Sequence, residues 1–209
     1  MSIEIEKNIK SRKETDRVMW FSMWFLLSTA TFGIAWILMI YFLIRRRNAH
    51  FSRQEKLETL TLSKLKHLKE EKQPHDDGIS NFTKNENPTF LRNAQAWALS
   101  TILIVPSFYV FYFLNSDLQK HEEHEHAFLM ETISLTKNLG LELNLNGYAA
   151  TKTFEFDGYL VLTIVTCGFA AVYWLYRVFN DYNRHFKRQW RLEDELLKFL
   201  KSINNSEAS

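Results

Sequence analysis

The sequence predicts an all-α membrane protein with three transmembrane helices, the first and third prolonged as long cytosolic helices. Three uncharged apolar runs carry this expectation, each about the 20 residues that cross a bilayer. They are VMWFSMWFLLSTATFGIAWILMIYFLI (Val18 to Ile44), AQAWALSTILIVPSFYVFYFL (Ala94 to Leu114) and GYLVLTIVTCGFAAVYWLY (Gly158 to Tyr176). None alternates with period two, so helices rather than a barrel satisfy their backbone groups. Finally, the chain that follows the first run is copied after the third.

The elements follow in order. An N-terminal tail (1–17) precedes the first span (18–44), which is about twice as long as a secretory h-region, lacks an A-x-A site and is therefore expected to be retained. No Pro or Gly interrupts 45–72, which predicts a cytosolic helix of about 40 Å. A turn-rich linker (73–92), containing QPHDDGISNFTKNENP, returns to the second span (93–115). Pro106 is expected to kink that span, with the hydroxyls of Ser100, Thr101 and Ser107 replacing the lost backbone bond. The extracytosolic segment (116–157) begins as a continuation of the second helix, and LELNLNGYAATKTFEF predicts a short hairpin around Asn146-Gly147. The third span (158–177) leads into a second cytosolic helix and tail (178–209). Cys167 lies within this last run, where a thiol acts as a small hydrophobe.

Basic residues orient the spans. Arg45, Arg46, Arg47, Arg53, Lys56, Lys64, Lys66, Lys69 and Lys72 crowd the first connection, whereas Asp117 to Asp157 carries only Lys120, Lys137 and Lys152. The first connection is thus expected in the cytosol, the second outside, the C-terminus inside and the N-terminus outside a cell membrane. The formal net charge of +2 is too small to point to nucleic acid, and the basic residues flank apolar runs, where anionic headgroups attract them.

The duplication is gapless. Leu27 to Lys66 aligns with Leu162 to Lys201, and 15 of 40 pairs are identical, including the heptapeptide N-x-H-F-x-R-Q of Asn48 to Gln54 and Asn183 to Gln189. Gly33, Tyr41, Asn48 and Phe51, with Gly168, Tyr176, Asn183 and Phe186, step by helical spacing and define a packing stripe. The glycines are expected to let helix backbones approach closely. The stripe runs on to Leu62 and Leu65, and to Leu197 and Leu200, with coiled-coil character.

TCGFAAVYWLYRVFNDYN, Thr166 to Asn183, resembles a family of small prokaryotic membrane proteins, catalogued as a domain of unknown function, that reads T-x-G-x-x-x-x-Y-W-x-Y followed by Asp and Asn. Thr166, Gly168, Tyr173, Trp174, Tyr176, Asp181 and Asn183 carry the resemblance. It implies a multi-span helical protein and no activity.

Two polar clusters are candidate sites. His50, Arg53 and Gln54, with His185, Arg188 and Gln189, fall about two turns beyond the apolar runs, at headgroup depth. There Arg and His ordinarily reach lipid phosphates, and two Arg forks can hold an anion; ligation by the His pair is a further reading. In HEEHEH, His121, His124 and Glu125 share a helical face that could ligate a borderline metal, although the run is not H-E-x-x-H. His75, Asp76 and Asp77 are expected across the membrane from this run. No phosphate loop, nucleophile triad or charged residue within a span points to catalysis or transport, and no cofactor motif is present. The sequence thus predicts a non-enzymatic structural, assembly or accessory subunit that self-associates or joins a membrane complex, with a metal-, lipid- or anion-responsive sensor as the alternative.

Overall fold

The computed structural model describes residues 2–72, 91–143, 145 and 156–207. Among the described residues the chain is helical and has no strand: α1 (Ser2–Lys10), α2 (Arg12–Thr15), α3 (Phe21–Ala30), α4 (Ile34–Lys72), α5 (Ala94–Ser100), α6 (Ile104–Asn138), α7 (Phe156–Val165) and α8 (Phe169–Glu207). The expected outer hairpin around Asn146-Gly147, and His75, Asp76 and Asp77 in the linker, lie outside the described residues.

The three apolar runs do not form three continuous spans. Each breaks near its midpoint, and among the described residues no helix is long and apolar enough to cross a membrane. In the duplicated runs the break is a C-terminal cap: Gly33 N–H donates to Ser28 O, and Gly168 N–H to Thr163 O, both at 2.8 Å. Phe32 (φ 48°) and Gly33 (φ 91°) are consecutive left-handed residues, as are Cys167 (φ 50°) and Gly168 (φ 96°). Glycine suits the second position because it lacks the Cβ that disfavours this region. Thr31 and Thr166 link the two sides of each break, their hydroxyls donating to Leu27 O and Leu162 O and accepting from Ala35 N and Ala170 N. No atom lies within 4 Å of a Cβ built on Gly33 or Gly168, so these residues turn the chain and do not bring helices together as expected.

The middle run reverses without glycine. Ser107 Oγ donates to Thr101 O (3.1 Å) and Leu103 O (3.2 Å) across the break. Pro106 occupies the first turn of α6, where a missing N–H has no intrahelical partner to lose, so the expected kink is instead a helix start.

Beyond each break the chain doubles back on itself. Trp24 meets Phe42 (ring centroids 5.8 Å), Trp97 meets Tyr109 (5.2 Å) and Tyr159 meets Trp174 (5.6 Å). Three helical hairpins result, with short arms α3, α5 and α7 and long arms α4, α6 and α8. The long arms run parallel, because their contacts descend in step. Trp36 and Trp174 flank Phe111, His50 and His185 meet His121, and Leu62 and Leu192 cluster with Phe128. Helix α6 therefore does not cross back in the opposite direction, as a three-span topology requires.

Trp174, Phe111, Phe113, Phe179, Tyr182 and Phe186 fill the space between the long arms. Below them the amphipathic α1 buries Ile5 and Ile9 against Leu57, Leu196 and Leu200. The N-terminal segment, expected across the membrane from the C-terminus, instead lies along α8, where Arg12 pairs with Asp194 (2.9 Å) and Glu6 with Lys201 (3.1 Å). The lower part of the packing stripe is buried: Phe51 is 4 % and Phe186 0 % exposed. The upper part is not, since Tyr176 is 44 % exposed and packs edge-on to Phe21 of α3.

Candidate functional site

The apices of the three hairpins carry a concentration of exposed apolar side chains. Phe32 is 99 %, Phe169 82 % and Val105 78 % exposed, with Ile34, Ile102, Ile104, Ile164 and Val165 beside them. Cys167 belongs to the same surface. No charged residue lies between Val18 and Ile44, or between Ala94 and Leu114.

A polar collar sits at the base of the hairpins, and here the repeated asparagines show their use. Asn183 accepts from Met19 N (3.2 Å) and donates to Met19 O (2.8 Å). Asn48 accepts from Arg92 N (3.2 Å) and donates to Arg92 O (2.7 Å). Met19 and Arg92 each precede the start of a short arm by two residues, so one amide clamps the incoming chain twice over. Arg46 donates to Asn183 Oδ1 and Arg17 O, while Asp117 is held by Arg47 and Arg92.

Directly beneath lies a buried layer of imidazoles and carboxylates. His50 and His185 are each 17 positions beyond the glycine of their hairpin, and His121 is 18 beyond Leu103, which puts the three at one level. Their ring centroids form a near-equilateral triangle of 5.0, 5.2 and 5.3 Å. The two expected polar clusters therefore belong to one site. His50 Nε2 and His185 Nε2 are 3.0 Å apart, and the Nδ1 atoms point outward to Asp16 Oδ1 (2.9 Å) and Glu122 Oε1 (3.0 Å). His121 stacks on Phe51 (4.1 Å, 18°).

Arginines hold the outer carboxylates. Arg53 reaches Asp16 Oδ2 (2.8 Å) and Glu193 Oε1 (2.7 Å), and Arg188 contacts Glu122. Burial opposes ionisation of Asp16, but the hydrogen bond and charge of His50, then Arg53, hold it well below the usual carboxylate range. Burial pushes His50 down to about 4 against the pull of Asp16, so it is neutral at pH 7. Burial likewise pushes Glu125 up to about 7, partly offset by His185 and Arg188, and neither of its oxygens has a hydrogen-bond partner.

Other expected site residues separate from this layer. His124 turns to Glu58 (2.9 Å) and does not join His121 and Glu125 as a ligand set. Gln54 and Gln189 are buried, so neither faces lipid headgroups. Arg53 is 5 % exposed and already engaged by carboxylates. Asp16 and Glu122 were not legible as site residues, since one ends a mixed-charge tail and the other lies within a run of acidic neighbours. The only available signal was that Glu122 adjoins His121. Comparison of the chain with family models, curated proteins and solved structures gave no match.

Proposed function

We propose that this chain is a monotopic membrane protein whose three hairpins sink into a single leaflet, with the parallel long helices and both ends of the chain on one side. The concentration of exposed Phe, Ile and Val at the three apices supports this reading. Exposed apolar side chains gathered in this way mark an interaction site, and the nearby exposed Trp20, Tyr109, Tyr112, Tyr173, Tyr176, Arg17 and Arg45 have the composition of a membrane interface. Depth agrees with it. Helices α3 and α7 are 10 residues each, about 15 Å. That is half of a hydrocarbon core of about 30 Å.

On this reading the protein is a non-enzymatic structural or accessory component of the membrane surface. Its helix contacts are made chiefly within the chain, and its primary partner is lipid. The positive-inside preference of Arg45, Arg46, Arg47 and Arg177 puts the long helices in the cytosol.

Sidedness tests it. Ser63 and Ser134 are exposed on α4 and α6, and the hairpin arrangement puts both on one side of the bilayer. In a Cys167→Ser background, Ser63→Cys and Ser134→Cys are expected to react with an impermeant thiol reagent from the same side of sealed vesicles. Labelling from opposite sides would restore three spans. A polarity-sensitive fluorophore on native Cys167 is expected to be quenched by lipids carrying a mid-chain quencher, and a reporter left in water would remove the membrane reading altogether.

A ligand-responsive role is the second reading, favoured by the buried imidazole layer.

A further inference from the structure

We propose that His50, His121 and His185 form a binding site for one first-row divalent transition-metal ion of the zinc type. The three residues come one each from α4, α6 and α8, and a ligand atom of each lies within 4.8 Å of the others. The imidazole planes cross at 75°, 79° and 86°, so the rings present edges to a common centre and do not stack.

The protonation pattern makes that centre electron-rich. A carboxylate only accepts, so Asp16 at 2.9 Å and Glu122 at 3.0 Å hold the proton of each ring on Nδ1; Arg188 Nη2, 3.3 Å from His185 Nδ1, is the longer contact and donates to Glu122. The Nε2 lone pairs of His50 and His185 then face one another at 3.0 Å. Two facing lone pairs cannot bond to each other; a cation between them resolves the conflict. Tetrahedral coordination with Zn–N bonds of about 2.0–2.1 Å separates ligand nitrogens by about 3.3 Å. The pair therefore needs to open by only tenths of an ångström.

The third ligand is also prepared. His121 Nε2 is buried and has no hydrogen-bond partner. A carboxylate behind a ligating imidazole orients it and strengthens its donor atom, and here two of the three rings have one. Arg53 and Arg188 in turn balance Asp16 and Glu122. An all-imidazole set suits Zn(II), Co(II), Ni(II) or Cu(II) and not the hard, oxygen-seeking Mg(II) or Ca(II). Three protein ligands leave a fourth position for water or an exogenous ligand.

The experiment uses the full chain in detergent, stripped with chelator and titrated with Zn(II), with Co(II) as a spectroscopic probe. One equivalent is expected to bind, Co(II) is expected to give tetrahedral d–d absorption, and Zn(II) is expected to raise the melting temperature. His121→Ala removes a ring whose Nε2 has no hydrogen-bond partner, so the metal-free variant is expected to keep its helicity while losing at least tenfold in Zn(II) affinity. His67→Ala, an exposed control, is expected to change nothing. If His121→Ala unfolds, His121→Gln keeps the volume and gives the same comparison. No Zn(II) uptake by the folded wild type, or equal uptake by wild type and the His121 variants, overturns the proposal; the imidazole pair would then hold a shared proton. These readouts are independent of membrane insertion.

Discussion

At the scale of single residues, the buried layer depends on each charge having its opposite. Arg53 stands between Asp16 and Glu193, all three side chains at most 3 % exposed. Arg53→Ala leaves Asp16 buried without its arginine and Glu193 with only Arg12 at 3.8 Å, and such a break is expected to cost about 3–5 kcal/mol by chemical unfolding. A loss below about 1 kcal/mol would mean that Arg53 faces lipid phosphates, as its position in the heptapeptide first implied. His124 gives a pH test. Its hydrogen bond to Glu58 raises its pKa above 6.5, against burial and with the help of the Glu58 charge. A folded-state pKa above the unfolded value gives stabilisation that is complete below about 6.5 and fades as pH climbs through the raised value. The melting temperatures of wild type and His124→Gln are therefore expected to differ most near pH 6 and to converge by pH 9. A gap that widens with pH contradicts the assignment. His50 and His185 were visible in advance because duplication repeats them. His121 was visible as a ligand type but was expected in a cluster of its own with His124 and Glu125, whereas it packs beside His50 and His185, and Asp16 joins them only because the first run folds back.

At the scale of elements, the decisive events are three reversals of direction. Hydropathy cannot distinguish a helix that crosses a bilayer from a hairpin that enters one leaflet, since both need about 20 or more uncharged residues. In the two duplicated runs the reversal coincides with a glycine at the middle of the run and a threonine two positions before it, Gly33 with Thr31 and Gly168 with Thr166. The same glycines can serve close helix packing, and only backbone conformation separates the two uses. Gly168→Ala is expected to cost about 1–2 kcal/mol from backbone strain alone, because φ is 96° and nothing lies near the new methyl group. A larger loss, or one relieved by shrinking a neighbouring side chain, would mean that the glycine is a contact point after all. The second reversal has no glycine and shares little identity with the others, so the sequence showed a duplication where the fold has three hairpins of one design.

At the scale of the whole molecule, an apolar crown stands on a basic collar. Arg45 and Arg184 are exposed at that collar. Each charge near an anionic surface contributes about 1 kcal/mol. Arg45→Gln combined with Arg184→Gln is expected to weaken partition into anionic vesicles roughly thirtyfold, by that arithmetic, at low salt, and to leave partition into zwitterionic vesicles unchanged. Equal losses in both lipids would show that these side chains support the fold and not lipid contact.

The parallel course of α4, α6 and α8 gives the molecule an electrical polarity. Peptide dipoles add along a helix to about half an elementary charge at each end, positive at the N-terminus. Three spans of alternating direction would cancel most of this. Here all three long helices begin at the apices and end far below, and short arms of 10, 7 and 10 residues offset only their upper part. At the crown the C-terminus of each short arm meets the N-terminus of a long arm and their partial charges offset, so the positive pole falls at the collar, where the short arms begin, and the negative one at the distant tips of the bundle, where Lys137 stands in the last turn of α6. In the single-leaflet arrangement proposed above, the positive pole lies at headgroup level and adds to the attraction of the basic collar for anionic lipid.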